Sequence, residues 1–136
     1  MKIAVCNRNT EKRYKNKEMS WEDIKERNRH PIRTSETVEE YPKLPKAQRD
    51  IAKDQGGFVG GWLRGGIRKK GHVISRECGA LDADHIPDGE DFLGKAKEVL
   101  AGVRFFIYST HSHAPQHQRY RLVMPFFREV SEEEYA

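Results

Sequence analysis

Little in this chain would commit it to an oxidising compartment or to a membrane. Among its 136 residues there are two cysteines, Cys6 and Cys78, far apart and without metal-type spacing, so neither a disulfide framework nor a zinc site is expected. That usage points to a reducing, cytoplasmic compartment. Long apolar runs are missing too: the first, Ile3 to Cys6, is far too short for a signal-peptide core or a membrane span. Hydrophobic residues make up only 36% of the chain against 34% charged, which leaves material for one thin core in one domain. No internal repeat or low-complexity tract interrupts it.

What is present is positive charge, unevenly spread. Twenty-five lysines and arginines face 21 acids, a formal net charge of +4, and such a field mildly favours anionic partners such as nucleic acid or nucleotides. Arg64, Arg68, Lys69, Lys70 and Arg76 cluster, whereas Ser131-Glu132-Glu133-Glu134 is acidic. The basic cluster lies in a segment with seven glycines, Gly56 to Gly71, which lacks the Gly-Lys-Ser/Thr ending of a phosphate-cradling loop. A strand, a flexible turn and a return strand over His72 to Arg76 explain the glycines. A functional reading adds close approach of a polynucleotide backbone, its phosphates taken by Arg64, Arg68, Lys69 and Lys70, and the two are compatible.

Local patterns mark out the remaining elements. Ile3 to Cys6 reads as a strand and Asn7 to Thr10 as a turn; Ser20 caps a helix over Trp21 to Arg29, with Glu22 and Asp23 in its first turn. Residues 30–45 hold three prolines and read as loop, followed by a short helix from Lys46 to Lys53. From Gly79 onward a strand places Leu81 and Ala83 on one side and Asp82 and Asp84 on the other. Asp88 is expected to cap a helix whose apolar face is Phe92, Ala96, Val99 and Leu100, with Gly102 at its end. Val103 to Ser109 is the next strand, His111 to Gln118 a loop, Arg119 to Met124 a returning strand before Pro125, and Ser131 to Glu134 a capping box. The expected class is α+β: an N-terminal α/β subregion over residues 1–77, then an incomplete RNA-recognition-like (ferredoxin-like) β-α-β-β subregion over 78–136 whose second helix and last strand are missing.

The chemistry gathers in that second part. Asp82 and Asp84, two apart on a strand, share a face at about 7 Å spacing, so their oxygens can converge on a divalent cation; a turn cap and a surface salt bridge are the plain alternative. Arg119 and Arg121 share parity on their strand, and the open sheet face is expected to carry Asp82, Asp84, Ser109, Arg119 and Arg121. The arginines either neutralise the aspartates or clamp a triphosphate or template backbone with their planar forks. His111 reads as a phosphate contact and His113 as a loop residue; a metal-binding His-x-His pair is the alternative, disfavoured by Ser112 between them.

In this order the residues resemble the archaeo-eukaryotic primase superfamily, in particular the N-terminal primase-polymerase region of phage and mobile-element replication proteins of the virulence-associated E type. The resemblance rests on Lys53-Asp54-Gln55-Gly56-Gly57-Phe58-Val59-Gly60-Gly61, Leu81-Asp82-Ala83-Asp84, Tyr108-Ser109-Thr110-His111-Ser112-His113 and Arg119-Tyr120-Arg121-Leu122-Val123-Met124-Pro125. It implies that Asp82 and Asp84 hold catalytic Mg2+ or Mn2+, that Ser109 and His111 contact the incoming nucleotide's phosphates, and that the partners are single-stranded DNA, nucleoside triphosphates and a helicase region or protein. It also implies a third carboxylate on a later strand, which makes this chain the front portion of such a domain. A non-catalytic single-stranded nucleic-acid or nucleotide-binding module is the rival expectation, and a metal-dependent nuclease using the aspartates with His111 and His113 a further one.

Overall fold

The computed structural model describes residues 1–135, which form seven strands and four α-helices arranged in two antiparallel sheets, an α+β fold as expected. Two compact units emerge, Met1–Gly79 with Phe126–Ala136, and Ala80–Pro125.

In the first unit, strand β1 (Lys2–Cys6) has four successive buried residues and lies at the centre of a three-stranded sheet of order β2-β1-β3. A strand covered on both faces reads as a continuous apolar run. Its neighbour β2 (Lys15–Glu18) was hidden in the sequence for the opposite reason: Lys-Asn-Lys-Glu is exposed throughout, a charged edge strand with no apolar alternation to betray it. Helix α1 (Trp21–Arg29) starts where Ser20 predicts, because Ser20 Oγ accepts from the Asp23 amide at 3.0 Å while the Asp23 carboxylate accepts from the Ser20 amide at 3.0 Å. Its single buried residue is Ile24. After the proline-bearing loop comes α2 (Lys46–Ala52), and Asp54 beyond it accepts hydrogen bonds from the Asn9 amide and from the Thr10 amide and hydroxyl, stapling this segment to the first turn.

The glycine-rich stretch then divides between the sheets. Strand β3 (Gly57–Val59) pairs with β1, and β4 (Gly61–Leu63) pairs antiparallel with β5 (Val73–Ala83) through a short 3-10 turn at Arg64–Gly66. Gly61 sits so close to its partner that a Cβ there would lie 1.8 Å from the Ser75 carbonyl oxygen. The Asn16 side chain extends the pairing, donating to the Leu63 carbonyl at 2.9 Å and accepting from its amide at 3.1 Å. Ala4, Cys6, Tyr14 and Leu63 close over this junction as a buried cluster. Both cysteines are free and buried, and burial pushes the Cys78 thiol up to about 11, so it stays protonated and inert.

Strand β5 corrects the sequence reading, which broke it into two pieces near Gly79. It is one strand of 11 residues, and Gly79 inside it makes room for the Phe126 ring, 3.1 Å from where a Cβ would stand. The second unit continues with α3 (Phe92–Val99), β6 (Phe106–Ser109) and the start of β7 (Tyr120–Ser131). In the sheet order β4-β5-β7-β6 the last-formed strand lies between β5 and β6, the split arrangement of an RNA-recognition-like unit.

Several boundaries move. Asp91, not Asp88, caps α3 by accepting from the Gly94 amide at 2.9 Å. Phe92 stacks on Tyr120 at 5.5 Å and Ala96 is buried, but Val99 is 81% exposed, so it does not serve the apolar face that spacing assigned it. Strand β6 starts at Phe106 instead of Val103. Strand β7 runs through Pro125, because β6 begins only opposite Val123 and leaves no ladder on that side for a proline to interrupt. The Ser131 capping box is present and opens α4 (Glu132–Tyr135).

The close β4–β5 approach gives a direct check. Gly61→Ala should lower the unfolding free energy by about 3 kcal/mol in urea titrations, since a methyl group there must part the two strands. An unchanged midpoint would contradict this register.

Candidate functional site

The two-residue repeat of a strand puts Asp82, near the end of β5, and Asp84, just past it, on one side. Opposite them stand Arg121, on β7, and Arg119, just before it. Arg121 Nε donates to Asp82 Oδ1 at 2.5 Å and Nη2 to Asp82 Oδ2 at 3.1 Å, a two-pronged bond that occupies both carboxylate oxygens. Arg119 Nη1 lies 3.6 Å from Asp84 Oδ1. As the numbers climb on β5 they fall on β7, which is how antiparallel neighbours meet. On the far side of Arg121, Nη1 donates to the Tyr108 hydroxyl at 3.5 Å, and Tyr108 is the register partner of Arg121 on β6. The result is a row, Asp82, Arg121, Tyr108, running across three strands.

Both members of the main pair are half-exposed, with 50% of the Asp82 side chain and 38% of the Arg121 side chain open to solvent. Solvent therefore screens them, and the pair contributes about 1 kcal/mol and not the several of a buried one. The Asp82 carboxylate raises the Arg121 pKa, so its charge is permanent.

Arg119 is held from behind. The His113 imidazole accepts the Arg119 amide at Nδ1, 3.1 Å away, and its ring packs on Tyr120 with centroids 4.8 Å apart. The Thr110 amide donates to the Arg119 carbonyl at 3.1 Å, and the loop is pinched by paired backbone bonds between Ala114 and His117. His113, a plain loop residue by sequence, is thus a brace for the arginine at the start of β7. Sequence reading gives Tyr108 no role of its own at the site. Its signal was parity: two residues before Thr110 and two after Phe106, whose ring it meets at 6.1 Å.

One expectation fails. Ser109 pairs with Tyr120 in the β6–β7 register, and directly opposed residues point to the same face. Ser109 therefore shares the Tyr120 face and not the face of Asp82, Arg119 and Arg121. It is exposed at the end of β6, and His111, also exposed, lies in the turn beyond it.

The donor chemistry of Asp82 and Asp84, two hard carboxylates on one side of a strand end, suits Mg2+ or Mn2+. Among the described residues no third His, Cys, Asp or Glu joins them as a metal-holding group. The fit has a condition: Asp82 is engaged at both oxygens and Asp84 at one, so a cation must compete with guanidinium for them.

In the first unit Arg64, Arg68, Lys69 and Lys70 are all exposed on the 3-10 turn and the loop after it. Arg68 donates to the Tyr14 hydroxyl at 3.3 Å and lies over its ring, and the Tyr14 amide donates to the Gly66 carbonyl at 2.7 Å, which anchors the loop. Arg64, Lys69 and Lys70 form no ion pair with any described residue. Their charge is left for the solvent or a partner.

A family model described as the VapE N-terminal domain matches residues 1–136. No curated protein and no solved structure matches the chain.

The cross-strand pair can be measured. Asp82→Ala should cost about 1 kcal/mol of stability, shrinking in high salt, and a double-mutant cycle with Arg121→Leu should return most of that as coupling between the two side chains. Zero coupling at low salt would mean that the pair does not form in solution.

Proposed function

The chain belongs to the VapE N-terminal domain family, the N-terminal region of VapE-type replication proteins of phages and mobile elements, and on that footing we propose that it works as part of a DNA primase-polymerase of the archaeo-eukaryotic primase superfamily. Metal-dependent nucleotidyl transfer onto a primer on single-stranded DNA is the reaction. The observation that carries this reading is the shared sheet face: two carboxylates and two arginines, with opposite charges matched to a cation and to a polyphosphate.

The reaction joins a primer 3′-oxygen to the α-phosphorus of a nucleoside triphosphate, breaks the α–β phosphoanhydride bond and releases pyrophosphate. Mg2+ or Mn2+, when bound, would lower the charge of the triphosphate and of the leaving pyrophosphate. Asp82 and Asp84 would hold it. Arg119 and Arg121 would grip the phosphate tail, the guanidinium fork being suited to paired phosphate oxygens. His111, in the turn just past the end of β6, would meet that tail from the rim of the sheet. Arg64, Arg68, Lys69 and Lys70 would take template phosphates in a salt-sensitive way. A helicase region or protein is the partner that replication would require.

A second reading has an observation of its own. Each aspartate is already neutralised by an arginine, which suits a non-catalytic single-stranded nucleic-acid or nucleotide-binding module that never recruits a metal.

Primer extension on single-stranded DNA with Mn2+ and nucleoside triphosphates separates the two. Nucleotidyl transfer by the chain, reduced at least about 100-fold in Asp82→Asn and Asp84→Asn, is the expected result. Normal synthesis by those variants would overturn the metal assignment, and salt-dependent DNA binding without synthesis would establish the binding module in its place.

A further inference from the structure

The arginine–aspartate pairs can act as more than neutral scenery. We propose that Arg119 and Arg121 are guard residues, which keep divalent cations off Asp82 and Asp84 until a polyphosphate draws the guanidiniums away, so that metal and nucleotide enter by exchanging partners. This deepens, and rests on, the assignment of metal and triphosphate to this face.

The geometry supplies the reason. Coordinating a cation needs carboxylate lone pairs, and Arg121 Nε and Nη2 already take one on each Asp82 oxygen while setting a positive charge against the carboxylate. A cation arriving alone meets that charge, and displacing it leaves a half-exposed guanidinium with only the Tyr108 hydroxyl at 3.5 Å for company. A polyphosphate arriving alone takes the arginines and leaves two bare carboxylates beside a multiply charged anion. Either step leaves like or unmatched charges close together, where water screens them only in part. When both arrive, each of the four side chains trades one opposite charge for another. No charge is then stranded.

The two sides of the row are not equal. Arg121 is bound by two prongs, whereas Arg119 meets Asp84 through a single 3.6 Å contact, and its backbone is pinned by His113 and Thr110. Arg119 is therefore the first to swing, and Asp84 the first carboxylate to open. Arg121 and Asp82 follow. By linkage, each ligand must then raise the other's affinity by the same factor.

The test reads metal binding directly, by the electron paramagnetic resonance of free Mn2+, with no turnover involved. Because triphosphates themselves chelate Mn2+, the deciding arm contains the metal alone. Wild type should bind Mn2+ weakly, and Arg121→Gln should bind it about 10-fold more tightly, as expected for a coupling in the usual range. Asp82→Asn should bind none at this site. In the reciprocal arm, with chelator and no metal, Arg121→Gln should lose affinity for a non-hydrolysable triphosphate. Should Arg121→Gln perturb the fold, as judged by its circular dichroism melt, Arg119→Gln serves with the same signs and a smaller shift. Equal Mn2+ affinity in wild type and the arginine variants, with binding still abolished by Asp82→Asn, overturns the guard role but leaves the metal site standing. Absence of Mn2+ binding to wild type and to both arginine variants in the metal-only arm overturns both.

Discussion

A carboxylate and a guanidinium, face to face across neighbouring strands, set the terms on which residues 80–125 can bind anything. Asp82 and Arg121 are 39 positions apart, and only the antiparallel meeting of β5 and β7 brings them together. The same meeting aligns Asp84 with Arg119 one step along. Two acids and two bases thereby occupy one face of one sheet, half in water, with neither sign left over. A surface built this way has weak attraction for a lone ion of either sign and stronger attraction for a matched pair of them, because only the pair lets every charge keep a partner.

Supporting parts of the unit serve that alignment. Phe92 from α3 stacks on Tyr120, His113 also packs on that ring, and His113 Nδ1 takes the amide of Arg119. Tyr120 is thus wedged between a helix and a loop, and its neighbours Arg119 and Arg121 must project to the other face. The loop from Thr110 to Gln118 looks irregular in sequence, yet its backbone bonds to Arg119 and between Ala114 and His117 give it a fixed shape. In the first unit the logic is different: four exposed cations ride on a loop anchored by Tyr14, and three of them have no ion-pair partner among the described residues. One basic surface is open and the other is self-neutralised. A polyanion meets on the first three cations without an ion-pair partner among the described residues.

How much of this could be read from the chain depended on whether the deciding interaction was local. Ser20 and Asp23, or Ser131 and Glu134, cap within four residues of one another, so α1 and the final capping box were legible. The unbroken apolar run of β1 was equally plain. By contrast, β2 carries only polar residues, and nothing short of its pairing with β1 makes it a strand. Gly79 looked like a break because the ring that fills its space, that of Phe126, is distant in sequence. Two-residue spacing puts Arg119 and Arg121 on one side of the chain, where each meets an aspartate. It could not place Ser109, whose face follows from the β6–β7 register and from nothing near it in the chain.

A crystal structure with Mn2+ and a non-hydrolysable nucleoside triphosphate, read through the anomalous signal of the manganese, tests the partner exchange most directly. An anomalous peak within coordination distance of Asp82 and Asp84, with the Arg121 guanidinium moved from Asp82 onto phosphate oxygens, is the outcome expected. Ligands bound elsewhere, with the two-pronged Asp82–Arg121 bond intact, would contradict it.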